Sequence, residues 1–96
     1  MGVKFGREYE QIHQELTEAI SKIDKFYEMF EMSEFHWSHL AEDEQHKCAA
    51  TLADDIFYAL GEDPEIEVGS GKITYVHQLH HITVHDGQDL RVISLI

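Results

Sequence analysis

The hydrophobic period of this chain changes at its single proline, Pro64. Before Pro64, apolar residues recur at steps of three and four, as on one face of a helix. After it they alternate, as on one face of a strand. No chain with this pattern can be all-helical or all-sheet.

No Gly or Pro interrupts the chain between Gly6 and Gly61. Phe5, Tyr9, Ile12, Leu16, Ala19, Ile23, Phe26 and Phe30 form a continuous stripe, which predicts one long helix over residues 5–32. Ile20 and Tyr27 widen the stripe, which suits packing on a sheet or a second helix. Ser33 is a candidate N-cap for "SEFHWSHL", read as a short helix or turn. The acidic run "AEDE", 41–44, marks another helix start, because negative charge suits the positive end of a helix. That helix is expected to run to Leu60 and stop at Gly61, read as a C′ glycine. Its buried face is Ala49, Leu52, Ala53, Ile56, Phe57 and Leu60, with Lys47, Thr51, Asp54 and Tyr58 opposite.

Downstream, "EIEV", "KITY", "HITVH" and "LRVISLI" read as strands, with "GSG" (69–71) and "DGQD" (86–89) as turns. Helices first and strands second indicate an α+β domain. The expected fold has two main N-terminal helices packed on one face of a C-terminal antiparallel sheet of about four strands, a two-layer sandwich. Residues 1–96 make one domain, helical over 5–61 and β over 65–96.

Charge narrows the partners. Nineteen acids against seven bases give a net charge of −12. A phosphate binder needs clustered Lys and Arg, so neither nucleic acid nor an anionic membrane is an expected partner. A basic protein partner, cation binding or plain solubility all fit. An acidic inhibitor that mimics nucleic acid also fits, if its carboxylates line one face like phosphates. The lone Cys48 excludes an internal disulfide and a cysteine-based zinc site. The start, "MGVKFGREYEQ", shows no apolar signal region, and Gly6 stands where a myristoylation pattern needs Ser or Thr. A cytoplasmic location is the expectation.

Eight histidines are many for this length, and four fall within "VHQLHHITVH". His81 and His85 share a strand face but lie roughly 13 Å apart along it, too far to share one ion. His77 joins His81 only if a turn folds it back. His36 and His39 form a second local pair, since i, i+3 spacing puts both on one helix face. These two pairs carry the alternative reading, a divalent transition-metal site built on histidine; otherwise no cofactor is expected.

Nothing points to catalysis. Cys48 lies at the margin of an apolar helix face in an acidic chain, which disfavours a thiolate. No serine sits in a Gly-x-Ser-x-Gly elbow. Asp54 and Asp55 diverge by about 100° on a helix. "GSGK" lacks the rest of a phosphate-binding loop. An interaction surface is the stronger expectation. "LRVISLI" is apolar on both faces: Leu90, Val92 and Ile96 share one, and Arg91, Ile93 and Leu95 the other. One face packs on the helices and the other needs cover. Ile93 and Leu95 are assigned to the covered interaction surface, with Tyr58 and Asp54 as a second anchor point. The expected function is therefore non-catalytic protein–protein interaction, with a homo-oligomer as its first form.

Overall fold

The structure, a computed structural model, describes residues 2–96. It is the expected α+β two-layer arrangement. Helices α1 (Tyr9–Ser21), α2 (Glu34–Ser38) and α3 (Glu42–Ala59) precede strands β1 (Glu65–Val68), β2 (Gly71–Val76), β3 (His81–Asp86) and β4 (Asp89–Ser94). The strands form one antiparallel sheet in sequential order. Ile12, Leu16 and Ile20 of α1 and Leu52, Ala53 and Ile56 of α3 are buried with Val68, Ile73, Ile82 and Ile93 of the sheet. The helices thus cover one sheet face, the one that carries Ile66, Val68, Ile73, Tyr75, Ile82, Val84 and Ile93.

Two hairpins set the register. Gly69 and Gly87 each take the first place of a two-residue loop and have φ near +53° and +61°. Their loop partners Ser70 and Gln88 do not have positive φ, which is the signature of a II′ turn. The first turn is also clamped from outside. The Ser70 backbone N–H donates to the Asp24 carbonyl at 3.0 Å, and the Ser70 hydroxyl oxygen lies 3.1 Å from the same carbonyl. The Asp86 carboxylate accepts from the Ser70 hydroxyl at 2.8 Å and from the Asp24 N–H at 3.1 Å.

This clamp explains the main departure from expectation. The stripe over 5–32 is not one helix. It stops at Ser21, reverses through Lys25 at φ +61°, and resumes as a 3-10 turn over Phe26–Phe30. No local breaker marks the site. The hydrogen bonds from Ser70 and Asp86 hold the Asp24 backbone outside a helix, and Gly69 presses against it. Phe26 and Tyr27 stay buried by packing on Trp37, edge-on at 4.9 Å and stacked at 5.1 Å. The apolar period survives the break because both pieces face the same core.

Helix α3 starts after Ala41, whose N–H donates to the Glu44 carboxylate at 3.2 Å. The α2 cap is as expected: the Ser33 hydroxyl accepts the His36 N–H at 3.1 Å. Gly61 is not a left-handed C′ residue. The chain runs on through further turns, with Asp63 N–H donating to the Ala59 carbonyl, and leaves them at Pro64. Proline disfavours helical backbone in the residue before it.

Candidate functional site

The strand register divides the sheet into a helix-covered face and an open one. On the open face the cross-strand rows are Lys72–His85–Leu90, Thr74–Thr83–Val92 and Val76–His81–Ser94. None of these positions is a carboxylate, in a chain with 19 acids. Acids enter this face only on β1, at Glu65 and Glu67, and Lys72 pairs with Glu65 at 3.1 Å.

Placement of β4 corrects the expected interaction surface. Ile93 and Leu95 are 2% and 0% exposed and belong to the core. Leu90, Val92 and Ile96 are the open ones, at 60%, 55% and 68%. Register is the cause. The two-residue loop pairs Asp86 with Asp89, hence Val84 with Arg91 and Ile82 with Ile93. Ile82 faces the helices, so Ile93 does too.

The two edges of the sheet differ. β1 has four residues, two of them Glu, and so is a short, charged edge of the kind that resists pairing. β4 is six residues long, and among the described residues only β3 pairs with it. Asp86 and Asp89 flank a two-residue loop and are a hydrogen-bonded pair. The backbone groups of Asp89, Arg91 and Ile93 therefore face β3, and those of Leu90, Val92 and Ser94 face away. At the far end, Arg7 Nη1 donates to the Ser94 carbonyl at 2.9 Å. Gly6 and Arg7 N–H groups donate to the Leu95 carbonyl. The edge is thus closed beyond Ser94 and open at Leu90 and Val92.

A second feature lies between the start of the chain, α1 and α3. Gly2, Val3, Phe5, Tyr9, Phe57 and Tyr58 line a cleft of about 220 Å³. Phe57 is buried and forms its floor, while Tyr58 stands 75% exposed at its rim. The Tyr9 hydroxyl donates to Asp54 Oδ1. His13 Nε2 donates to the Ala50 carbonyl at 2.9 Å and lies 3.4 Å from the same carboxylate oxygen. Tyr58 and Asp54 are one helical turn apart, as their spacing indicates. The sequence alone does not reveal Tyr9, His13, Phe5 and Phe57 as their neighbours, because that depends on how α1 seats on α3.

Burial first, then the hydrogen bond to Asp54, pushes the Tyr9 phenol above its ordinary pKa of 10.0. The folded state therefore holds this proton where the unfolded chain has lost it. The contribution to stability is complete below about pH 10 and fades as pH rises above it. Tyr9→Phe is expected to cost about 1 kcal/mol at neutral pH, as half-exposed Asp54 softens the loss of a charged hydrogen bond. Urea melts should show the gap between the two proteins shrinking above about pH 10. A gap that stays constant to higher pH would show that this hydroxyl is not held in its protonated form.

The histidines are dispersed. His77 lies in the 3-10 turn His77–Leu79, and His81 opens β3 opposite Val76 and Ser94. His36 is on exposed α2, and His39 Nδ1 is 2.7 Å from the Phe35 carbonyl. Among the described residues no group of three or more His, Cys, Asp or Glu side chains converges on one point. Among the same residues, no helix is long and apolar enough to cross a membrane.

No protein-family model, no curated protein and no solved structure matches this chain.

Proposed function

We propose that this protein acts without catalysis, through protein–protein interaction in the cytosol, and that its first partner is a second copy of itself paired along β4. The observation that carries the proposal is an open sheet edge whose exposed Leu90 and Val92 are apolar, in a chain of net charge −12. An unpaired edge strand presents backbone donors and acceptors as a template for another strand. Here the apolar side chains beside those groups, Leu90 and Val92, favour occupation of the template. The unpaired Cys48 suits a reducing compartment.

A second copy fits the pattern. In an antiparallel pair with Val92 on the two-fold axis, Val92 meets Val92 of the partner subunit. Leu90 then lies opposite Ser94 of the partner subunit. Shifting the axis to Arg91 would set two arginines directly opposite, which is destabilising. The favoured pairing is isologous and closed, so it yields a dimer and not a fibre. It also brings together open-face rows of β2–β4 that carry no carboxylate, with the acids of β1 at the opposite edge.

Light scattering at about 100 µM is expected to give twice the 11.1 kDa chain mass, with the dimer fraction rising with concentration and with salt. Val92→Lys sets like charges on the axis and is expected to give a monomer. Val92 is half-exposed, so the variant should lose no more than about 0.5 kcal/mol of monomer stability. A wild-type monomer at every salt and concentration would contradict the proposal, as would a dimer indifferent to Val92→Lys.

A further inference from the structure

The cleft at the α1–α3 end is separate from the sheet edge and has its own chemistry. Its walls are aromatic rings set at steep angles to one another. Phe5 lies 5.5 Å from Phe57 at 77°, Tyr9 lies 4.9 Å from Phe57 at 76°, and Tyr58 meets Phe57 at 86°. Phe5 and Tyr9 are 6.0 Å apart at 52°. Rings at such angles cannot all stack on one flat ligand. They can present several ring faces and edges to one rounded group.

An aromatic face is the negative end of a quadrupole and attracts a cation, above all one whose charge is spread over a weakly hydrated alkyl shell. The carboxylate is in place beside it. Asp54 is half-exposed, accepts the hydroxyl of the cleft residue Tyr9, and lies one helical turn before Tyr58. The chain's net charge of −12 adds a field that draws cations and repels anions. A neutral apolar ligand would make no use of Asp54, and an anion would be opposed by it.

We propose that this cleft binds the quaternary or N-methylated ammonium head of an organic cation, with Phe5, Tyr9 and Tyr58 around the alkyl groups and Asp54 as counter-charge. The same head group occurs on free small molecules such as choline and on N-methylated lysine side chains. Tyr58, exposed at the rim, is the residue a ligand would cover.

The test is a titration of the full chain followed by NMR on the aromatic protons. Choline is compared with 3,3-dimethylbutan-1-ol, which has the same shape and no charge. Choline is expected to shift Phe5, Tyr9 and Tyr58 signals saturably, and the neutral isostere to bind roughly tenfold more weakly or not at all. Asp54→Asn keeps an acceptor for the Tyr9 hydroxyl and should weaken choline severalfold while the fold, read by circular dichroism, is unchanged. Tyr58→Ala should do the same without touching the core. A peptide carrying trimethyl-lysine forms a further arm: tighter binding than choline assigns the head group to a protein partner, equal binding to a free cation. Equal binding of choline and its neutral isostere, or no saturable shift with choline and the peptide alike, would overturn the proposal. So would full choline affinity in both variants.

Discussion

Gly69→Ala is expected to destabilise the protein by about 3 kcal/mol, seen as a fall in the urea midpoint at unchanged slope. Two effects add. Gly69 has φ +53°, a conformation that costs an L-residue roughly 1–2 kcal/mol. Its new Cβ would also lie 2.5 Å from the Asp24 carbonyl oxygen and 2.7 Å from the Lys25 carbonyl carbon. Both obstacles are backbone, so no side-chain rotation relieves them. Relief requires moving the reversal at residues 22–25, and with it the Ser70 and Asp86 hydrogen bonds. Gly87→Ala supplies the control. Gly87 has φ +61° in the equivalent place of the second hairpin, but nothing lies within 4 Å of its new Cβ. Only the conformational part remains, about 1 kcal/mol. Equal losses at the two glycines would show that the first hairpin does not press on the α1 reversal.

Leu16→Ala is expected to cost about 3–4 kcal/mol. Leu16 is fully buried on α1, in the same core as α3 and the sheet. Truncation removes buried methyl groups and leaves a cavity that rigid neighbours on both layers fill poorly. A domain of this size has only about 5–14 kcal/mol in total, so the melting temperature should fall by roughly 15–25 °C. Calorimetry measures this directly. A loss below about 1 kcal/mol would mean that α1 is not the central element of the core.

The parts of the fold that the sequence showed clearly are those set by neighbours in the chain. The period change at Pro64, the acidic start of α3, the Ser33 cap and the two glycine turns each rest on a few adjacent residues. The break after Ser21 does not. Ile23 and Phe26 continue the helical stripe, and the groups that hold Asp24 out of the helix come from Ser70 and Asp86, far along the chain. Such an override leaves no local mark. The buried face of β4 is a different case. Both faces of "LRVISLI" are apolar, so composition alone could not choose between them. The choice was nonetheless present in the neighbouring strand. His81, Thr83 and His85 mark the open face of β3, and the two-residue turn places Thr83 against Val92 and Ile82 against Ile93. Carrying the register across the hairpin puts Ile93 and Leu95 inside. The Tyr9–Asp54–His13 cluster had no such signal, since a sequence does not show how two helices seat on one another.

The histidine-rich stretch takes its meaning from the same register. His81 and His85 stand beside Ser94 and Leu90 on the open face, next to the β4 edge. Neither they nor their cross-strand neighbours on β2 and β4 are carboxylates.

Amide hydrogen exchange at Leu90 and Val92, followed against protein concentration, tests the proposed pairing most directly. Both N–H groups face away from β3 and have no protein acceptor among the described residues, so in a dilute monomer they should exchange as freely as exposed backbone. Pairing along β4 gives the Val92 N–H an open carbonyl on the partner subunit, and the Leu90 N–H one that is shared with an arginine side chain. Protection at these two positions should therefore appear and grow with concentration, and vanish in Val92→Lys. Rapid exchange of both amides at every concentration would contradict the account.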